Sequence, residues 1–376
     1  MSNGGRFLAS QPEKKGKPWV KVLLIVLAVI LLLGAVGGGF VWSKLNKVRR
    51  AERGDNNLSS DDLAGLLVEE STEAAETTLP PETTEPKPTE PDYGTTGKII
   101  NVLLAGQDAR EGEESKNADT MILVSVNKET KKITMISFLR DSLVYIENFV
   151  DKDGITHNGR TKMTLAYNLG YKWGGDLGAF EMIDSVIERN FGAKVDKNIE
   201  VDMDAFDACI NALHGVTITL NEDEAKYMND YFKQYDDRTF EVGDNLVDGW
   251  AAEVYVRTRH SNNGDNDFNR TDRQRAVIAQ VLEKVKGMSL LEINNLVDEL
   301  LPYVLTDMSN ADISTYITEL LPLLPQMTLE SLQCPNEDMD RRGKIVDLFG
   351  DGIEHSVLLF DEVKAKKIVT KITEAD

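Results

Sequence analysis

Residues 99–106 (IINVLLAG), 120–127 (TMILVSVN) and 132–139 (KITMISFL) are apolar, β-branched-rich runs of strand length. The polar stretch NKETKK joins the second to the third, so those two pair antiparallel. If the three run up, down and up in one sheet, Asp108 lies just past the top of the first. Asp119 then lies just before the top of the second, and Arg140 and Asp141 just past the top of the third. Asp also serves ordinary turns, so each position alone has a purely structural explanation.

Helical periodicity continues at 161–169, 178–191 and 204–213, with Phe180, Ile183, Val186, Ile187 and Phe191 on one apolar face and Phe206, Cys209, Ile210 and Leu213 on another. A further strand pair is expected around IEVDM and GVTITL, and residues 287–376 read as helical additions. The fold class is α/β, a central mixed sheet flanked by helices, over residues 98–376.

The chain before this domain differs in composition. Val22–Trp42 holds 21 residues without a charge between Trp19 and Trp42, enough at about 1.5 Å per residue to span a bilayer core. A cleaved leader fits less well, because its apolar region is shorter and ends in a small-x-small site. Basic residues flank both ends of the span about equally, so orientation rests on the acidic stalk and the domain C-terminal to it, which have an extracytoplasmic character. Residues 1–21 are then a cytoplasmic tail, and the domain lies outside the cell on a single-pass anchor. Residues 43–97, with ETTLPPETTEPKPTEPDYGTTG, read as a disordered acidic linker with too few apolar groups to fold.

The formal charge is −21, yet residues 1–53 carry ten Lys/Arg against Glu13 and Glu52, which leaves −29 for the remainder. Such a field repels phosphate backbones and argues against nucleic acid as a partner. Two cysteines, Cys209 and Cys334, make neither a disulfide framework nor a zinc site.

Within this acidic chain, residues 257–275 hold five arginines and no lysine: Arg257, Arg259, Arg270, Arg273 and Arg275. Arginine presents a planar fork suited to phosphate or carboxylate. A helix starting near Asn269 aligns Arg270, Arg273, Gln274, Val277 and Val281, with Arg275 pointing elsewhere. Arg270, Arg273 and Gln274 would then stand in first turns that already favour an anion, although pairing with Asp265, Asp267 and Asp272 is the plainer use of such residues. Asp108 and Asp119 with Arg140, Arg257, Arg259, Arg270 and Arg273 fit a divalent-metal pyrophosphate site, with Mg²⁺ (or Mn²⁺) on the carboxylates. No GxxxxGK[ST] loop or GxSxG elbow is present.

NVLLAGQD, NADTMILVSVN, ISFLRDS, TKMTLAYNLG, VDMDAFDACINALHGV, YVRTRH and DFNRTDRQR stand in an order that resembles the LytR-CpsA-Psr family of cell-wall glycopolymer ligases, over about residues 98–286. The resemblance implies a Mg²⁺-dependent phosphotransferase that moves a glycan, such as teichoic acid or capsular polysaccharide, from undecaprenyl pyrophosphate to peptidoglycan. It assigns metal binding to Asp108 and Asp119, and pyrophosphate binding to Arg140, Arg257, Arg259 and Arg270 with Gln274 and Arg273. Asp119, Arg140 and Asp141 are the catalytic candidates, and no feature selects the base. The chain departs from the family at Asn117 (with Lys116 beside it), Asn269, His214 and Val144, where Arg, Gly, Gly and a basic residue are usual. A polyprenyl-phosphate-binding regulator and a lipid pyrophosphatase are the alternatives.

Overall fold

The computed structural model describes residues 47–69, 97–107, 116–257, single positions from 273 to 300, and 301–374, with 64, 237, 321, 322, 324 and 325 excepted. The tail and the membrane span read at 1–42 lie outside these residues. Among the described residues, no helix is long and apolar enough to cross a membrane.

In chain order the strands include β1 (Arg49–Arg50), β2 (Val68–Glu69), β3 (Ile99–Gln107), β4 (Ala118–Asn127), β5 (Lys132–Phe138), β6 (Leu143–Val150) and β7 (Thr156–Lys162). Then come α1 (Met163–Phe191), β8 (Lys197–Val201), α2 (Met203–Ala212), β9 (Val216–Leu220), α3 (Glu222–Phe232), β10 (Gly243–Val247) and α4 (Gly249–Arg257). The C-terminal part supplies β11 (Val304–Thr306), α5 (Asn310–Leu320), β12 (Thr328–Cys334), β13 (Arg342–Asp347), β14 (Glu354–Leu359) and α6 (Glu362–Thr373).

β3, β4 and β5 pair antiparallel as their alternation requires, with Leu103 opposite Leu123 and Leu123 opposite Ile136. In the turn after β4, Asn127 Oδ1 accepts from the backbone N–H groups of Glu129 and Thr130. The three strands form the centre of a mixed seven-stranded sheet ordered β1-β11-β8-β3-β4-β5-β12. Both faces are apolar, so both need a helical cover. Ile100, Val102, Leu104, Ile122 and Val124 pack in one core with residues of α2, α3, α4 and α5. Leu103, Ala105, Met121, Leu123 and Ile136 pack in a second core with α1 and α6.

Three expectations need correction. IEVDM and GVTITL do not pair with each other: β8 joins β3 in parallel, and β9 forms a separate antiparallel ribbon with β10. Residues 287–376 are not merely helical, because β11 and β12 extend the central sheet on both sides of its core strands and β13–β14 make a hairpin. β11 is three residues long, too short to outweigh a helical period next to it in sequence.

Residues 47–69 also depart from a disordered linker. Leu58, Leu63 and Leu67 are buried in the α1-side core, β1 pairs with β11, and β2 pairs with β7. Four leucines and Val68 in NLSSDDLAGLLVEE were enough to dock this stretch, despite the acids around them. Just upstream, Glu52–Gly54 sits in a break of α1 at Gly174–Gly175, where Gly175 has φ 65°. The Gly54 N–H donates to Gly174 O at 2.8 Å and the Leu177 N–H to Glu52 O at 3.1 Å. A Cβ on Gly54 would lie 2.8 Å from Gly175 N, so only glycine fits there.

Where β8 meets α1, the Asn198 amide donates to Asp184 at 2.9 Å and to Asp307 at 3.0 Å. Burial, with help from the Asp307 charge and against the Asn198 hydrogen bond, pushes the Asp184 carboxyl up to about 8. The folded state therefore holds this proton more tightly than the unfolded chain, whose Asp titrates near 4, roughly. Stability falls as pH rises between those two values. Asp184→Asn keeps an acceptor for Asn198 and removes the titration. We expect its melting temperature to fall less than that of the parent between pH 5 and pH 8, and parallel curves would contradict the assignment.

Candidate active site

The site builds up from strand ends. Gly106 of β3 pairs with Thr120 of β4 and with Val201 of β8, and Met121 of β4 pairs with Phe138 of β5. The ends of β3, β5 and β8 and the start of β4 therefore share one edge of the sheet. The register shifts between Gly106 and Gln107, a break in the ladder of the kind that re-aims side chains next to sites.

Asp119 stands two residues before Met121 and Arg140 two after Phe138, and their side chains meet: Arg140 Nη1 donates to Asp119 Oδ1 at 2.7 Å. Arg140 Nε is 3.7 Å from Asp141 Oδ2, and Lys162 Nζ is 2.5 Å from Asp141 Oδ1. Arg140 and Asp119 are each about a quarter exposed, so the pair is open enough to exchange partners with an incoming anion. The loop is fixed by the start of α1, whose Met163 and Thr164 N–H groups donate to Ser142 O and Arg140 O. Those helix donors are thus satisfied by the loop they position.

A second cluster lies beside it. Lys116 Nζ is 2.8 Å from Asp176 and 3.4 Å from Glu200 of β8, and it sits 4.6 Å from the centre of the Tyr171 ring. The Tyr167 hydroxyl donates to Glu200, and Asn168 Nδ2 donates to Asn117 Oδ1 at 3.0 Å. Burial lowers the Lys116 ammonium, but Glu200 and Asp176 outweigh that and hold it above the ordinary lysine value. Burial raises the Glu200 carboxyl even against the Lys116 charge, and burial with the Glu200 charge raises the Tyr167 phenol well above its usual value.

The sequence-predicted residues divide in two. Asp119, Arg140 and Asp141 come together as expected. Asp108 directly succeeds Gln107, the last residue of β3, and lies outside the described residues, as do Arg259, Arg270 and Gln274. Arg257 closes α4, and its side chain lies outside them too. Arg273 is buried together with Val277 and Val281, the face its spacing implied, and its Nη1 is 3.6 Å from Glu224 of α3. Sequence reasoning missed Lys162, Glu200, Tyr167 and Asn168. Lys162 and the last two were visible in TKMTLAYNLG as a motif but carried no chemistry until the fold placed them at the edge. Glu200 read only as part of a strand.

Among the described residues no group of three or more His, Cys, Asp or Glu gathers to hold a metal ion, and of the two expected metal carboxylates only Asp119 is described. Asp119 offers hard carboxylate oxygens suited to Mg²⁺ or Mn²⁺. Among the described residues, buried Gln107 Nε2 and Asn168 Oδ1 have no hydrogen-bond partner, one a donor for phosphate oxygen and the other an acceptor.

Comparisons with known proteins identify the family. TagT of Bacillus subtilis strain 168, called a polyisoprenyl-teichoic acid–peptidoglycan teichoic acid transferase, is 27% identical over 341 residues, 88% of this chain and 89% of TagT. TagU of Oceanobacillus iheyensis, of the same description, is 31% identical over 220 residues, 58% of this chain and 62% of that protein. Biofilm regulatory protein A of Streptococcus mutans is 32% identical over 209 residues, 52% of this chain and 48% of that protein. The chain thus spans about half to two-thirds of the latter two relatives. A solved protein from Streptococcus agalactiae superimposes with a TM-score of 0.55 at 23% identity, over 74% of this chain and 89% of that one, and shares the fold. The LytR_cpsA_psr family model matches residues 66–355, most of the length, and the chain belongs to the LytR-CpsA-Psr family.

Proposed function

We propose that this chain is a phosphotransferase that joins a glycan from an undecaprenyl-pyrophosphate carrier to peptidoglycan through a phosphodiester. The observation that carries the reading is the Asp119–Arg140–Asp141–Lys162 chain of charges at the sheet edge. It supplies a fork for phosphate oxygens and a carboxylate that holds the fork in place.

In the reaction, a sugar hydroxyl of peptidoglycan attacks the glycan-proximal phosphorus. A new P–O bond forms, the bond to the bridging oxygen breaks, and polyprenyl phosphate leaves with the electron pair. Arg140 binds the phosphate oxygens and steadies the charge that develops there, with Arg257, Arg259, Arg270, Arg273 and Gln274 approaching from the arginine-rich segment. Asp141, held between Lys162 and Arg140, orients the guanidinium. The hydroxyl proton passes to Asp141 or to one of the carboxylates Asp108 and Asp119. Mg²⁺ or Mn²⁺, when bound by these two carboxylates, neutralises diphosphate charge. The domain works outside the cell, anchored by the span at 22–42.

The likeness to Biofilm regulatory protein A favours a second reading, a lipid-binding regulator without turnover. Lipid-pyrophosphate-linked glycan incubated with the full chain, with and without peptidoglycan, separates the readings. Transfer predicts phosphodiester-linked glycan only when peptidoglycan is present. Free glycan phosphate in both tubes would mean a pyrophosphatase, and bound but unchanged lipid would mean the regulator.

A further inference from the structure

Between the end of α2 and the β9–β10 ribbon lies a cleft of about 500 Å³ whose lining includes Asn211, His214, Arg238, Thr239, Asn245 and Asp248. None of these residues belongs to the site at the sheet edge. Arg238 ties the cleft to a group of rings: its guanidinium lies 4.6 Å from the centre of the Phe232 ring and 4.9 Å from that of Trp250. Tyr235 packs edge-on against Trp250 at 5.5 Å and tilted against Tyr231 at 5.3 Å, and Tyr231 stacks with Tyr227 at 6.4 Å. Tyr235 is 60% exposed, and Leu246, which lines the cleft, is exposed as well. An exposed ring beside polar groups is a composition suited to a ligand with one apolar and one hydroxylated face.

The polar groups are of mixed kind, two amides, an imidazole, a hydroxyl and a carboxylate paired with a guanidinium, and such mixtures serve ligands that both donate and accept. Asn211 Oδ1 already accepts from the Gly249 N–H, and Asn245 bonds the backbone of Glu241 and Gly243. His214 takes a left-handed conformation, φ 58°, just before Gly215, and stands exposed in the cleft. The local charge selects further. Residues 236–248 hold five acids against Arg238. That arginine is already bound by Asp236 at 2.6 Å and Asp248 at 3.0 Å. A polymer of phosphates would meet repulsion here with no unengaged guanidinium to receive it. An uncharged sugar would not.

We infer that this cleft and the Tyr235 ring bind an uncharged hexose or N-acetylhexosamine chain, and that this chain is the acceptor strand. The acceptor role rests on the transfer reading above, whereas binding of the sugar does not. The placement supports the role, because α4 begins beside the cleft at Gly249 and ends at Arg257. Its nine residues rise about 12 Å at roughly 1.5 Å each, a short step from an acceptor subsite to the arginine segment.

The test has two arms on the full chain in detergent micelles. In the first, Trp250 fluorescence tracks titration with tetra-N-acetylchitotetraose. Saturable binding is expected, weakened about tenfold by Tyr235→Ala, a loss of about 1.4 kcal/mol. His214→Ala should weaken it in the same direction, Arg140→Ala should leave it unchanged, and a glycerol-phosphate oligomer should not compete. Absence of saturable binding, parental affinity in both cleft variants, or displacement by the phosphate oligomer would overturn the inference. In the second arm, Tyr235→Ala should raise KM for the peptidoglycan acceptor with kcat held. An unchanged KM beside lost sugar binding would overturn the acceptor role, and absence of transfer by the parent chain would strike the function reading while leaving the first arm to stand.

Discussion

Arg140→Ala should lower kcat/KM for glycan transfer by about a hundredfold to a thousandfold, the usual loss when a donor to developing transition-state charge is removed. Removing the guanidinium also leaves Asp119 without its 2.7 Å partner and puts a carboxylate where phosphate must approach. Arg140→Lys should recover only part of the rate, since an ammonium keeps the charge but cannot span two acceptors as a fork does. Initial rates with lipid-linked glycan measure this. Retention of full rate in Arg140→Ala would remove the residue from the site. Because Arg140 is partly exposed and lies beyond the last paired residue of β5, the variant should melt close to the parent, so lost rate would not reflect lost fold.

Phe191→Ala should have the largest effect on stability, about 3–5 kcal/mol, the range for removing a buried phenyl ring. Phe191 is fully buried at the end of α1. Its ring stacks on Phe360 at 5.0 Å and meets Phe138 at 4.7 Å. It thus ties the long helix both to the sheet and to the segment before α6. A cavity there costs transfer energy and lost dispersion contacts together. Typical domains have only about 5–15 kcal/mol in hand, so chemical denaturation should show a large downward shift of the midpoint. Phe138 precedes Arg140 by two residues, and the same variant should therefore lose some transfer rate at temperatures where it remains folded. A midpoint within experimental scatter of the parent would contradict this packing role.

The centre of the fold was legible because its signals were local and strong. Three apolar strand runs and a polar hairpin turn place Asp119, Arg140 and Asp141 together on sequence alone. The arginine segment was legible as composition, and Arg273, Val277 and Val281 share burial as their spacing implied. What escaped depended on distant partners. β1 and β11 are two and three residues long; β1 owes its strand form to β11 across more than 250 positions, and β11 owes its own to β8 and β1 on either side. Leu58, Leu63 and Leu67 looked like part of a spacer because acids surround them, yet burial of a few leucines against α1 decided their fate. Glu200 and Lys162 came to the site only through β8 pairing beside β3 and α1 starting beside the β5 loop.

A crystal structure of the chain with a polyprenyl pyrophosphate analogue would probe the diphosphate site without intermediary. Diphosphate oxygens are expected within hydrogen-bond distance of Arg140, with Asp119 and Asp108 facing the same group and the arginines of 257–273 closing around it. A diphosphate seated elsewhere, with Arg140 still on Asp119, would contradict the site.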